Sequence, residues 1–251
     1  MVRLSVNVNK VATLRNSRGG QVPSVIDAVQ VCVDAGAPGI TVHPRADGRH
    51  ITSGDVRDIA RVLAARRPKT EFNIEGDPRP DLIDLVHEVL PDQCTLVPVI
   101  PGEVTSQAGW QPGPATNRLP DIVAGLRSNG IRVSLFVDAS PGPVRWAAES
   151  GADRIELYTE PFARAFEQGA EVARRSFDLF AEAASLAHEL GLGVNAGHDL
   201  DLENLVRFRG LPYLDEVSIG HALMSRALFV GLKTVVGEYL DVLAAAAPLR
   251  E

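Results

Sequence analysis

The chain has 251 residues, of which 45% are hydrophobic, 25 are basic and 32 are acidic, so its formal net charge is −7. This content is enough to bury a large α/β core, and the acidic balance argues against nucleic acid or an anionic membrane surface as a partner. The only cysteines, Cys32 and Cys94, lack the spacing of a thiolate zinc site and argue against a disulfide framework.

The first residues, MVRLSVNVNK, enter a strand-like alternation directly. The longest apolar run, DVLAAAAPL, is too short to cross a bilayer. We therefore expect a cytoplasmic protein that is neither exported nor inserted into a membrane.

Short β-branched runs predict eight strands along the chain. They lie at residues 4–9, 39–43, 71–75, 94–98, 131–139, 153–158, 192–197 and 215–220. Stretches of helical periodicity separate them, with Gly36 and Gly191 as C-terminal signals and Thr52 or Ser53 as an N-cap.

Eight strand–helix units in about 250 residues predict an α/β fold, namely a (β/α)8 TIM barrel with short extra helices. We expect one domain that spans residues 1–251. A doubly wound open sheet is disfavoured because the chain has no G-x-G-x-x-G or Walker-type sequence. Two long segments follow strand ends, residues 97–117 as a candidate functional loop and residues 159–175 as an insertion with a short helix.

Polar side chains follow the predicted strands and should therefore meet at one rim of the barrel. This set comprises Asn7, Asn9, His43, Arg45, Glu75, Thr105, Asp138, Glu156, Thr159, His198 and His221. Four of the six histidines belong to the rim when His50 is counted, whereas His87 and His188 lie in helical patterns and are expected at the surface. A single histidine at a strand end usually has only a structural hydrogen-bonding role. The site is therefore predicted from the whole group of polar residues at the rim.

Two Gly-His pairs, NAGHD at 195–199 and SIGHA at 218–222, end the seventh and eighth strands. Barrel proteins often bind phosphate at this place, where glycine lets backbone N–H groups approach the anion. The alternative is that Gly197 and Gly220 only permit tight turns, and the pairing on adjacent strands favours phosphate.

A second anionic group is indicated by Arg18 and Arg45, because guanidinium groups match phosphate in a bidentate way. Arg15 and Arg49 could join them, but both fit surface ion pairs slightly better.

Glu75 follows an apolar strand in this histidine-rich rim. Burial would raise its pKa into the range of a general base, and His43 could share the proton. An arginine partner would instead lower the pKa of Glu75, and the sequence leaves both readings open. We predict no metal site, since no H-x-H follows the first strand and no Asp follows the eighth.

The motifs VNVNKVATLRNSRGG, GITVHPRADGRHIT, FNIE, GADRIELYT, VNAGHDL and EVSIGHALMSRAL together resemble the pyridoxine 5′-phosphate synthase family, from the first strand to the last helix. The resemblance implies a homo-oligomeric barrel without a cofactor. It would condense 3-amino-2-oxopropyl phosphate with 1-deoxy-D-xylulose 5-phosphate to pyridoxine 5′-phosphate, and would release inorganic phosphate and water. The partners would thus be two phosphorylated small molecules, with no nucleic acid and no membrane.

The resemblance also implies roles for residues. His43 and Glu75 would be general bases and His198 the general acid. The amino-ketone phosphate or the product would be held by Asn7, Arg18, Gly197, Gly220 and His221. The deoxyxylulose phosphate would be held by Asn9, Lys10, Arg45, His50 and Thr105.

The chain departs from many members of that family at four positions. It has Asn9 and Lys10 where they have Asp-His, Val99 where they have Glu, and Tyr158 where they have His. We interpret these changes as a subtype, in which Lys10 could contact a phosphate or form an imine with a ketone. Two alternatives stay open: a barrel enzyme for another phosphorylated ketose or amino-ketone, and a non-catalytic phosphometabolite-binding protein.

Overall fold

The structure is a computed structural model that describes residues 1–99 and 106–245. Eight parallel strands form a closed barrel in which each strand pairs with its neighbours in sequence and the last pairs with the first. The strands are β1 (Arg3–Asn7), β2 (Gly39–Val42), β3 (Glu71–Gly76), β4 (Gln93–Leu96), β5 (Arg132–Val137), β6 (Arg154–Tyr158), β7 (Gly193–Gly197) and β8 (Leu214–Ile219). The predicted barrel is therefore confirmed.

Within the described residues, eleven α-helices accompany the strands, together with one short 3-10 helix at Pro114–Thr116. The α-helices are α1 (Asn9–Asn16), α2 (Val25–Asp34), α3 (Ser53–Ala64), α4 (Pro80–Val89), α5 (Leu119–Ser128), α6 (Pro141–Glu149), α7 (Glu160–Glu167), α8 (Ala170–Glu189), α9 (Leu205–Phe208), α10 (His221–Val230) and α11 (Leu232–Ala244). The insertion after β6 forms α7 and the start of α8, so one extra helix was correctly expected there.

Local signals set several helix ends. Thr52 caps α3 through a reciprocal capping box, in which its hydroxyl accepts the Asp55 N–H and the Asp55 carboxylate accepts the Thr52 N–H. Gly36 and Gly191 follow α2 and α8 with φ values of +99° and +80°, a left-handed conformation that glycine adopts without a side-chain clash. The caps predicted from the sequence are thus confirmed, with Thr52 chosen over Ser53.

Alternate strand residues face the helices and form the apolar core. Leu4 and Val6 of β1 are fully buried there, whereas Ser5 between them faces the barrel interior. Barrel interiors are usually filled by branched apolar residues, but this one is polar over most of its length. Its buried groups bond to one another, since Ser5 Oγ lies 2.6 Å from Thr41 Oγ1 and Thr95 Oγ1 donates to Asn73 Oδ1 at 3.0 Å.

An ion network lies at the end where the strands begin. Glu71 of β3 bridges Arg3 of β1 and Arg132 of β5, with the Arg3 Nη1 to Glu71 Oε1 distance at 2.6 Å. Burial alone would raise the pKa of Glu71, but its bonds to Arg132 and Arg3 lower that pKa below the ordinary value. Three non-neighbouring strands are therefore tied together by one carboxylate.

We expect Glu71→Gln to lower the free energy of unfolding by about 2 kcal/mol at neutral pH, because two partly buried guanidinium groups lose their anion. A carboxylate with a lowered native pKa stabilises the fold above its unfolded pKa and loses that effect as pH falls. The unfolding free energies of variant and parent should therefore begin to converge as the pH falls below about 4, and should meet below the lowered native pKa of Glu71. Glu88→Gln, in an exposed pair with Arg57, is the control that should change little. Equal losses in both variants would contradict the special role of Glu71.

Candidate active site

A cavity of about 420 Å³ opens at the carboxyl ends of the barrel strands. Ten of the residues proposed for the site from the sequence line it: Asn7, Asn9, Lys10, His43, Arg45, His50, Glu75, His198, Gly220 and His221. Two of them lie in β1 and β3, and the other eight lie in the turns or helix starts that follow β1, β2, β7 and β8. The structure therefore brings most of the described residues expected at the rim to one cavity.

His43 follows β2 and is only 9% exposed. Its backbone N–H donates to Asn9 Oδ1 at 2.9 Å, so the first residue of α1 fixes the start of the His43 loop. Burial, with the positive charges of neighbours such as Arg45 and Arg79, holds the pKa of His43 well below its ordinary value. Its buried Nε2 has no hydrogen-bond partner among the described residues. The ring is thus neutral at pH 7 and able to accept a proton.

Glu75 lies near the end of β3, where its carboxyl contacts neutral groups. Asn7 Nδ2 and Ser218 Oγ donate to its two oxygens, each at 3.4 Å. Burial is the main cause that raises the pKa of Glu75 to about 8, and the charge of Glu216 adds to it. Of the two readings that the sequence left open, the geometry supports the proton-transfer role over an arginine-bound strut.

Glu156 of β6 is a second buried carboxyl in the cavity wall, a residue expected at the rim from its place at the end of a strand but without a predicted role. Burial and the charges of Glu75 and Glu216 hold its pKa well above the ordinary value. A Cβ on Gly197 would lie 2.3 Å from Glu156 Oε1. Gly197 therefore makes room for this carboxyl, and it does not itself line the cavity.

His198 follows β7 and packs against two aromatic rings. Its ring centroid lies 5.3 Å from those of Phe136 and Tyr158. Burial lowers the pKa of His198, while the nearby charges of Asp199 and Glu160 act to raise it. The imidazole is thus held in an apolar corner of the cavity with acidic groups close by.

The opposite side of the cavity is cationic. Arg45 is 8% exposed, and its Nε lies 3.6 Å from Asp47 Oδ2. Burial, followed by the charge of Arg45, lowers the pKa of His50 to about 4. Lys10, in the first turn of α1, is exposed at the same wall. A buried guanidinium with a neutral imidazole and an ammonium group nearby is suited to an anionic ligand.

Helix α10 begins at the cavity wall, where residues 220–222 line it. The N–H groups of a first helical turn lack partners within the helix and favour anions. A Cβ at Gly220 would lie 3.1 Å from Asn7 Cβ, so a larger residue would fit there only if Asn7 shifted. This end of the site therefore offers a second anion position.

Several expected residues lie elsewhere. Arg18 is exposed and does not line the cavity, and Thr105 lies outside the described residues. Asp138 holds the loop after β4, accepting bonds from the Gly109 N–H at 2.8 Å and from Gln111 Nε2 at 2.5 Å. Arg15 Nη1 lies 2.5 Å from Asp55 Oδ1, so Arg15 forms the ion pair that the sequence offered as the alternative to anion binding.

Two of the positions that depart from the family pattern lie in one small apolar cluster. Val97, Phe136 and Tyr158 are buried together, and Val99 packs against them. Tyr158 in turn packs its ring edge-on to His198. The changes at Val99 and Tyr158 thus belong to one apolar wall beside His198.

No helix among the described residues is long and apolar enough to cross a membrane. Over the same residues, no group of three or more His, Cys, Asp or Glu side chains is arranged to hold a metal ion.

The closed barrel and the cavity at the carboxyl ends of its strands define a (β/α)8-barrel protein with an acid–base site. The family model described as "Pyridoxal phosphate biosynthesis protein PdxJ" matches residues 4–245. The chain belongs to this family, which confirms the resemblance found in its motifs.

Relatives cover almost the whole chain. The pyridoxine 5′-phosphate synthase of Christiangramia forsetii is 52% identical over 97% of this chain and 100% of the relative. The enzyme of the same name from Bacteroides thetaiotaomicron is 51% identical with the same coverage. Among solved structures, phosphoribosylanthranilate isomerase from Thermotoga maritima has a TM-score of 0.60 at 14% identity, over 97% of this chain and 98% of that chain. The last similarity supports the fold alone.

We expect Glu75→Gln to make the protein more stable at alkaline pH. A carboxyl whose pKa is raised in the native state lowers the free energy of unfolding as the pH rises. This loss begins near its pKa in the unfolded chain, about 4.3, and continues up to its native pKa. The melting temperature of the variant should therefore equal that of the parent near pH 4 and exceed it increasingly up to a pH of about 8. Thermal scans across this range measure the difference.

The control is Asp121→Asn, on the exposed first turn of α5. It should show no growing difference with pH. A Glu75→Gln variant that is less stable than the parent at pH 8 would contradict the protonated, cation-free environment of Glu75.

Proposed function

We propose that the chain is a pyridoxine 5′-phosphate synthase that condenses 3-amino-2-oxopropyl phosphate with 1-deoxy-D-xylulose 5-phosphate. The products are pyridoxine 5′-phosphate, inorganic phosphate and water. The observation that carries the proposal is one cavity lined by cationic side chains, by the start of a helix and by several buried titratable groups. The names of relatives at about 50% identity over the full chain support it.

The two anion positions fit two phosphorylated substrates. We assign the deoxyxylulose phosphate to the side with Lys10, Arg45 and His50, where the cationic groups cluster. The amino-ketone phosphate is assigned to the start of α10, beside Gly220 and His221. Helix N–H groups suit the amino-ketone phosphate, which would stay bound. Guanidinium groups would balance the charge of the deoxyxylulose phosphate, which would leave.

The reaction needs proton transfers at each stage, because an imine forms, an enol is made, phosphate leaves and the ring closes. Neutral His43 is assigned as a base, since its Nε2 is available. Glu75 has a pKa of about 8 and can take up and return protons near neutral pH. His198 is assigned as the acid, and its lowered pKa makes it a strong donor once it is protonated. Protonated Glu156 is a further donor in the same wall.

Lys10 is better suited to binding than to imine chemistry in this arrangement. Lysines that form imines usually lie in apolar pockets or against another cation that favours the neutral amine. Lys10 is exposed at the cavity mouth. We therefore assign it to the phosphate of the ketose substrate.

The test is incubation of the purified protein with both substrates, with product absorbance and phosphate release followed together. We expect equal amounts of pyridoxine 5′-phosphate and phosphate, and loss of both by about 100-fold or more in His43→Ala. His188→Ala, a surface histidine stacked on Tyr213, is the matched control and should retain activity. Folded protein that forms no pyridine product would instead favour another phosphorylated ketose or amino-ketone as substrate.

We also propose that the chain assembles with copies of itself through the end of α10. Leu228, Phe229 and Val230 form a run that is 73%, 88% and 41% exposed. Helix α1 packs beside α10 and adds Leu14, which is 53% exposed. Contiguous exposed apolar side chains of this kind typically mark protein interfaces.

We expect Phe229→Lys to give a smaller species in sedimentation velocity, because a charge would be buried at the interface. Leu179→Lys, on a separate exposed site of α8, should leave the assembly unchanged. An unchanged sedimentation coefficient for Phe229→Lys would show that the end of α10 is not the interface.

A further inference from the structure

The turn after β7 has an unusual backbone. His198 and Asp199 are consecutive residues with φ values of +83° and +57°. Side-chain-bearing residues rarely adopt this left-handed region, and they persist there only when the surroundings hold them. Two such residues at the cavity wall therefore need a specific restraint.

Thr159 provides contacts of that kind from the neighbouring strand end. Its hydroxyl donates to the Gly197 carbonyl at 2.6 Å and shares the same proton with the carbonyl of His198. Its backbone N–H also donates to the Gly197 carbonyl at 2.9 Å. On the far side of the turn, Asn204 Nδ2 donates to the Asp199 carbonyl at 3.0 Å. Hydrogen bonds thus hold the turn at three consecutive carbonyls, those of Gly197, His198 and Asp199.

The position of Thr159 makes this use of its side chain notable. It is the N-cap residue of α7, where a threonine hydroxyl normally accepts an N–H of the first helical turn. Here the side chain makes no capping bond, and it is fully buried against β7 instead. The hydroxyl therefore holds the turn after β7 and leaves the first turn of α7 without a side-chain cap.

The turn determines where the His198 ring lies. Only two side-chain torsions separate the ring from the backbone, and the ring is enclosed by Phe136 and Tyr158 at 5.3 Å. A relaxed φ at His198 would swing the imidazole out of this enclosure and away from the other cavity groups. We propose that Thr159 is a positioning residue that fixes the left-handed turn and thereby the imidazole of His198.

The kinetic part of this proposal rests on the acid role of His198, whereas its structural part does not. We therefore compare Thr159→Val, which removes the hydroxyl, with Thr159→Ser, which keeps it, and with Thr159→Ala in case valine prevents folding. Thr95→Val is the matched control, because it removes a buried hydroxyl bond inside the barrel that does not involve the β7 turn.

The structural measurement is the NMR spectrum of histidine-labelled protein, which contains six histidines, with the His198 signal assigned from His198→Gln. The currents of the two enclosing rings displace the His198 signals. We expect Thr159→Val and Thr159→Ala to move these signals toward those of a free histidine. Thr159→Ser and Thr95→Val should leave them in place.

The kinetic measurement is turnover of the two proposed substrates. We expect kcat to fall by about 100-fold in Thr159→Val with KM nearly unchanged, since a small misplacement of a proton-transfer group has this scale. Thr159→Ser should retain most of kcat. The alkaline limb of the kcat profile should move to higher pH in Thr159→Val, because His198, the proposed acid, leaves the apolar corner that lowers its pKa.

Wild-type His198 signals in both Thr159→Val and Thr159→Ala would overturn the proposal. A moved signal with unchanged kcat would overturn its catalytic part. If the wild-type protein does not turn over these substrates but the His198 signals move as expected, the proposed function fails and the positioning by Thr159 stands.

Discussion

A closed barrel has a single interior, and every second residue of each strand must be placed in it. In this protein those residues are largely polar, so they must satisfy one another where water is scarce. Ser5 with Thr41, and Thr95 with Asn73, do so by pairing. Carboxyls higher in the barrel, such as Glu75, are buried against neutral groups, and burial raises the pKa of Glu75 to about 8, which favours its protonated form. The acid–base character of the site follows from this burial.

Charge is divided between the loops and the strands that line the cavity. The loops after β1 and β2 bring cations such as Arg45, while β3 and β6 bring carboxyls that burial keeps neutral. Burial, helped by the same cations that would attract phosphate, lowers the pKa values of His43 and His50 and so favours their uncharged rings. One group of residues can therefore bind anions and leave neighbouring bases free to accept protons.

Much of this arrangement could be predicted from the sequence, because the period-2 pattern of the strands and the Thr52 cap depend on nearby residues. The four rim histidines could be predicted because strand ends meet at one face of a barrel. Pairs far apart in sequence could not be predicted. The contact of Gly197 with Glu156 joins two strands, and the hydrogen bond from the Thr159 hydroxyl to the Gly197 carbonyl joins the ends of the same two strands. In each case the side chain's partner is set by strand register.

Asn9 carries two connections at once. Its N–H donates to Asn7 Oδ1 and its amide oxygen accepts the His43 N–H, so it joins the end of β1 to the loop that carries His43. In directed evolution, position 9 would therefore be a poor choice for single-site saturation. A library that varies residues 9 and 43 to 45 together could recover new ligand preferences that stepwise selection would discard as inactive.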